Sequence, residues 1–103
     1  MPTASGFVKS VAGGSKFNAT FLINDIQYHF TGSFNPAVQE FTSNGATLNY
    51  ENLNQLTATR DFEGRIGAEN ISFIVTNGPK LQGPLNMPIS QASYVSGRGV
   101  WVM

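Results

Sequence analysis

The chain has 103 residues, a formal net charge of zero, 12% charged residues and no cysteine. That length suits one domain, with a folded surface expected at roughly 5,700 Å². The charge balance excludes a basic stripe for nucleic acid, the absence of thiols excludes disulfides and thiolate metal sites, and no apolar run approaches the ~20 residues of a membrane span.

Ten Asn, five Gln, nine Ser and eight Thr stand where charge usually would, beside 11 Gly and 5 Pro. This composition predicts an all-β chain with many turns. Phe7 to Ala12 reads as a strand running into Gly13-Gly14, a hairpin turn toward the strand that opens at Lys16. Phe17, Ala19, Phe21 and Ile23 then alternate with Asn18, Thr20 and Leu22. Asn24-Asp25 offers a two-residue turn, because both types tolerate positive φ. Ile26, Tyr28 and Phe30 follow, alternating with Gln27, His29 and Thr31. With that turn Ile23 faces Ile26, Phe21 faces Tyr28 and Ala19 faces Phe30. The large apolar residues then share one face, and a one-residue slip destroys the agreement.

Asn35-Pro36 predicts one helical turn through Phe41, with Asn as cap and Pro at the first position. Thr47–Tyr50 and Leu56–Thr59 predict strands around a polar loop. The second is expected to continue through Phe62 with a bend near Arg60 or Gly64. Phe62, Gly64, Ile66 and Ala68 lead through Glu69-Asn70 to Ile71, Phe73 and Val75, a second hairpin on the plan of the first. Residues 78–89 carry Pro79, Pro84 and Pro88. Proline removes ladder donors, so a long loop or edge segment is expected, with Leu81, Leu85, Met87 and Ile89 covering a barrel end or meeting a partner. Tyr94-Val95 and Val100–Val102 predict a late strand or pair around Gly97-Arg98-Gly99. About seven to nine short strands joined by turns predict a small antiparallel β-barrel, with a β-sandwich as the alternative. Pairing of the Phe7 strand with Val100–Val102 would close it and remove its edges.

Chemistry is sparse along this chain. His29, the only histidine, falls on a polar face across from Thr20 and is expected as a surface imidazole bonded to a neighbour or to water. Asp61 and Glu63, two apart on a strand, would stand about 7 Å apart, a separation that suits an inverting glycosidase. Arg65 continues their row, which reads instead as a solvated line. No spacing supplies three metal ligands, and neither glycine cluster precedes a helix that would hold a phosphate. No catalytic residue, metal or cofactor is expected, and the chain reads as non-enzymatic.

Abundant amides and hydroxyls, little charge and a few aromatic plates suit a neutral sugar. The expected lectin-like site comprises Asn18, Gln27, His29, Asp61, Glu63, Arg65 and Trp101, with a small neutral ligand as partner. Two other classes stay open: a self-assembling structural β protein that forms a homo-oligomer, and a barrel around a small apolar ligand. No signal peptide is visible in Met1–Gly6, and the compartment stays unknown.

Overall fold

The alternation near the start of the chain becomes strand pairing in the computed structural model, which describes residues 2–11 and 13–103, the side chains of Ser90 and Gln91 apart. β1 (Thr3–Ser10), β2 (Lys16–Ile23) and β3 (Ile26–Asn35) form consecutive antiparallel hairpins. β1 begins at Thr3 rather than Phe7, and Ala12, the expected end of that strand, lies outside the described residues. Asn24 and Asp25 have φ of 52° and 66°, as a two-residue turn with the twist of its strands requires. Ile23 faces Ile26, Phe21 faces Tyr28 and Ala19 faces Phe30. Phe21, Tyr28 and Phe30 are buried, but Ile26 at the rim is 47% exposed. The shared apolar face therefore ends one pair short of what the pattern predicts.

No helical turn forms over 35–41. Its backbone groups bond instead to the end of β1 and to the turn that follows it. Val38 N–H donates to the Gly14 carbonyl at 2.8 Å, and the Phe41 carbonyl accepts from Ser10 N–H at 2.9 Å. Phe41 N–H donates to Ser10 Oγ at 2.8 Å. β4 (Thr42–Asn49) pairs with the other side of β1. The polar loop holds a 3-10 turn, Leu53–Gln55, capped by Asn52, and the strand expected from Leu56 begins only at Thr59. Gln55 then clamps a distant turn: its Nε2 donates to the Asn77 carbonyl at 3.0 Å, and Asn77 Nδ2 donates back to the Gln55 carbonyl at 3.1 Å.

Two long strands complete the sheet, β5 (Thr59–Val75) and β6 (Lys80–Val102). β5 bends at 67–70 rather than at Arg60 or Gly64, and its register against β6 shifts there. Its two halves lie side by side. Thr76 N–H donates to the Asp61 carbonyl at 3.0 Å. A Cβ on Gly64 would strike the Ser72 carbonyl and the Phe73 Cα, as one on Gly6 would strike Thr20 and its partner Phe21. The expected second hairpin thus exists in a different register. Gly64 faces Phe73, and the connection is Gly67-Ala68-Glu69-Asn70 instead of Glu69-Asn70. A slip of two residues preserves the inward face, so Phe62, Ile66, Ile71, Phe73 and Val75 are all buried.

From Lys80 onward the Pro-rich stretch is strand, not loop, and only Gly78 and Pro79 stay in the preceding turn. Leu81 sits between Leu48 of β4 and Phe73 of β5. The ladder to β4 stops at Gln82, before Pro84, so the missing donor interrupts no β4–β6 pair. Leu81, Leu85 and Ile89 enter the core, while Met87 is 77% exposed. β6 also runs straight through Gly97-Arg98-Gly99 without a turn. Its last residues pair with β3, from Asn35 opposite Ser96 to His29 opposite Val102. This contact, and not one with β1, closes the antiparallel barrel.

Aromatic rings fill the interior. Phe17 lies 5.3–6.1 Å from Phe30, Phe34, Phe62 and Phe73, and each such pair contributes about 0.5–1.5 kcal/mol beyond its buried area. The accessible surface, 5,620 Å², matches the value expected for the chain's mass. A small barrel packed in this way leaves its binding surfaces outside.

Candidate functional site

Strand alternation sorts the side chains of β5 and β6 into two sets. Val95, Trp101 and Phe62 point inward and are buried; Tyr94, Ser96, Arg98 and Val100 on β6 point outward and are exposed. Thr59, Asp61 and Glu63 on β5 are exposed as well, together with Arg65. The register sets them in pairs: Arg65 beside Tyr94, Glu63 beside Ser96, Asp61 beside Arg98, and Thr59 beside Val100. The same outer rows continue onto β3, where Ser33 faces Arg98 and Thr31 faces Val100, and onto β2, where Asn18 faces Thr31.

Three shallow grooves follow this surface in sequence. The first, about 530 Å³, has Tyr94 in its wall with Glu63, Arg65, Ser72 and Ile74 around it. The second, about 660 Å³, includes Glu63, Ser96, Asp61, Arg98 and Asn35. The third, about 490 Å³, includes Arg98, Thr59, Val100, Thr31, Asn18 and Lys16. Glu63 borders the first two and Arg98 the last two.

One ion pair organises the centre. Arg98 Nε donates to Asp61 Oδ1 at 2.7 Å, with both side chains well exposed. The hydrogen bond that Arg98 donates to Asp61, and secondly the charge of that carboxylate, raise the Arg98 pKa above its ordinary value. The ion pair orients the guanidinium, and its other N–H groups make no hydrogen bond among the described residues. Two carboxylates and two guanidiniums (Asp61, Glu63, Arg65, Arg98) leave this stretch without net charge.

The residues expected from the sequence divide into two groups. Asp61, Glu63 and Arg65 stand together, and Asn18 borders the third groove. Gln27 and His29 lie on outward positions of β3, farther toward the Asn24-Asp25 turn. There His29 Nδ1 shares a hydrogen bond with Thr20 Oγ1 at 2.9 Å, the cross-strand neighbour expected. Trp101 does not join them. It is 5% exposed, with its ring 4.6 Å from that of Phe30, and it serves the core rather than a surface plate.

Two residues of the site are missing from the sequence-based set, Tyr94 and Arg98. Tyr94 is 81% exposed. A signal for it existed: on an uninterrupted strand, position 94 faces opposite to position 101, so burying Trp101 exposes Tyr94. Expecting a break at 97–99 removed that parity.

Of the two carboxylates two apart on β5, Asp61 is exposed and paired with Arg98, and Glu63 is exposed beside Ser96. Among the described residues, no three His, Asp or Glu side chains gather as a metal ion requires, and no helix is long and apolar enough to cross a membrane. No protein-family model matches the chain, and neither a curated protein nor a solved structure matches it.

Proposed function

We propose that this chain is a non-enzymatic β-barrel module that binds neutral carbohydrate, with one sugar ring stacked on Tyr94. The observation that carries the proposal is the exposure of Tyr94, 81%, in the wall of a groove bordered by Glu63, Arg65 and Ser72. A bulky aromatic ring left in water costs stability that a core position would return. Its face suits the C–H surface of a pyranose, and its hydroxyl, like the flanking carboxylate and guanidinium, meets sugar hydroxyls. Glycan-array screening followed by calorimetric titration tests it. The wild type binds at least one neutral sugar at millimolar strength, Tyr94→Phe retains most of the affinity, and Tyr94→Ala loses at least tenfold, about 1.4 kcal/mol. An array without a hit at millimolar sugar overturns the proposal.

A separate observation favours self-association as the second reading. Leu22, Ile26, Val102 and Met103 are 47–76% exposed near the Asn24-Asp25 end of the barrel. Exposed apolar residues gathered in one region mark contact surfaces. Sedimentation equilibrium over a hundredfold concentration range then shows a dimer or larger species in the wild type that Leu22→Lys disperses. A single 11.1 kDa species throughout rejects this reading.

A further inference from the structure

The three grooves are contiguous, and this arrangement says more about the ligand than any one of them. Outward positions on a strand recur every two residues, about 6.6–6.8 Å. Tyr94, Ser96, Arg98 and Val100 therefore form a straight row about 20 Å long. Neighbouring grooves share a polar wall residue, Glu63 between the first pair and Arg98 between the second. A single sugar ring fills one groove and leaves the other two wet.

We infer that the ligand is a linear, neutral oligosaccharide of about three units lying along β6. The inference rests on the carbohydrate reading above and assigns that site its substrate class. The first unit stacks on Tyr94. Glu63 accepts hydrogen bonds from hydroxyls of the first and second units. Arg98, held by Asp61 at 2.7 Å, directs its free N–H groups to oxygens at the junction of the second and third. The third unit lies across Val100, 38% exposed, with Thr31, Thr59 and Asn18 offering hydroxyls and an amide. Charge complementarity selects a neutral chain. Asp61, Glu63, Arg65 and Arg98 compensate one another, so a polyanion or polycation meets as much repulsion as attraction along the row. Lys16 at the far end is the single uncompensated charge among the groove residues named here.

The experiment is titration of the ¹⁵N-labelled full chain with glucose-, mannose-, xylose- and N-acetylglucosamine-based oligomers of one to four units, and with a galacturonate tetramer as the anionic control. In at least one neutral series, affinity rises about tenfold or more from one unit to three and then levels off. Amide shifts caused by the single sugar cluster at Tyr94, and those caused by the trimer extend through Ser96 and Arg98 to Val100. Arg98→Ala flattens the gain with length, and Tyr94→Ala weakens every length. Both positions are exposed, so a dispersed spectrum confirms that each variant folds. Binding of single sugars with no gain on lengthening overturns the inference and leaves the carbohydrate reading intact. Salt-sensitive preference for the galacturonate chain overturns the neutral assignment. Failure of every sugar overturns both.

Discussion

Gly99 and Phe30 show how a single residue decides the packing of this barrel. A Cβ built on Gly99 would lie 2.6–3.0 Å from three atoms of the Phe30 ring. That ring has no room to retreat, since Trp101 lies 4.6 Å away and Phe17 and Phe62 stand on its other sides. Gly99→Ala is therefore expected to destabilise by about 1–3 kcal/mol, the usual cost of overpacking. Gly45 is the control: a Cβ there meets nothing within 4 Å, and Gly45→Ala is expected to be neutral or to add up to ~1 kcal/mol by stiffening the unfolded chain. Thermal unfolding separates the two, because 1 kcal/mol moves the midpoint of a domain this size by about 4–8 °C. A Gly99→Ala midpoint equal to wild type contradicts the packing described here. Glycine serves turns and close approaches alike, and a sequence does not display the ring lying over it. For this reason Gly97-Arg98-Gly99 reads as a turn when it is the middle of a strand. The same misreading concealed the opposite parity of Tyr94 and Trp101.

At the level of elements, local hairpins were legible and long-range ones were not. The β2–β3 hairpin has every determinant within 14 residues: alternation on both sides, and a turn that fits only one register. Its turn is testable. Asn24 has φ of 52°, a region that costs a β-branched residue about 1–2 kcal/mol. Asn24→Val is expected to lower the urea midpoint accordingly, while Asn24→Gly leaves it within a few tenths of a kcal/mol of wild type. Equal loss in both variants would show that the side chain, not the backbone angle, matters there. The hairpin within β5 was legible in face but not in register, because a shift of two residues keeps the same side chains inside. The Pro-rich start of β6 was not legible at all. Whether a proline breaks a ladder depends on which strands flank it, and these are set at long range: β4, more than 30 residues earlier in the chain, releases β6 at Gln82, while Pro84 stands opposite Asn70 of β5. Alternation does not sort its apolar residues either: Leu81, Leu85 and Ile89 are buried, whereas Met87, of the same parity, is exposed.

For the whole molecule, closure carries the greatest load. β3 and β6 meet through pairs such as His29 and Val102, or Phe34 and Gly97, contacts that no periodicity in the sequence encodes. Residues 97–100 are hydrogen-bonded partners of β3 on one side and β5 on the other. They cover Phe30, Phe34 and Phe62, which are at most 2% exposed. Ending the chain after Ser96 removes this shared stave. It leaves two unpaired strand edges and uncovers part of the aromatic core, the combination that templates aggregation. It also removes Trp101 and the backbone bond from Trp101 N–H to the Ala58 carbonyl, 3.0 Å, which anchors the entry to β5. The truncated chain is thus expected to lose cooperative thermal unfolding and to precipitate or bind a dye for exposed apolar surface, rather than to melt a few degrees early. Trp101→Phe in the full chain keeps the stave and most of the ring contact, so it should retain a cooperative transition at a lower midpoint. A truncated protein that melts cooperatively, with tertiary circular dichroism like that of the full chain, would show that the barrel stands without closure. In that case the outer row from Tyr94 to Val100 would lose its rigid support from β3, and the geometry argued for an extended ligand would lose its basis with it.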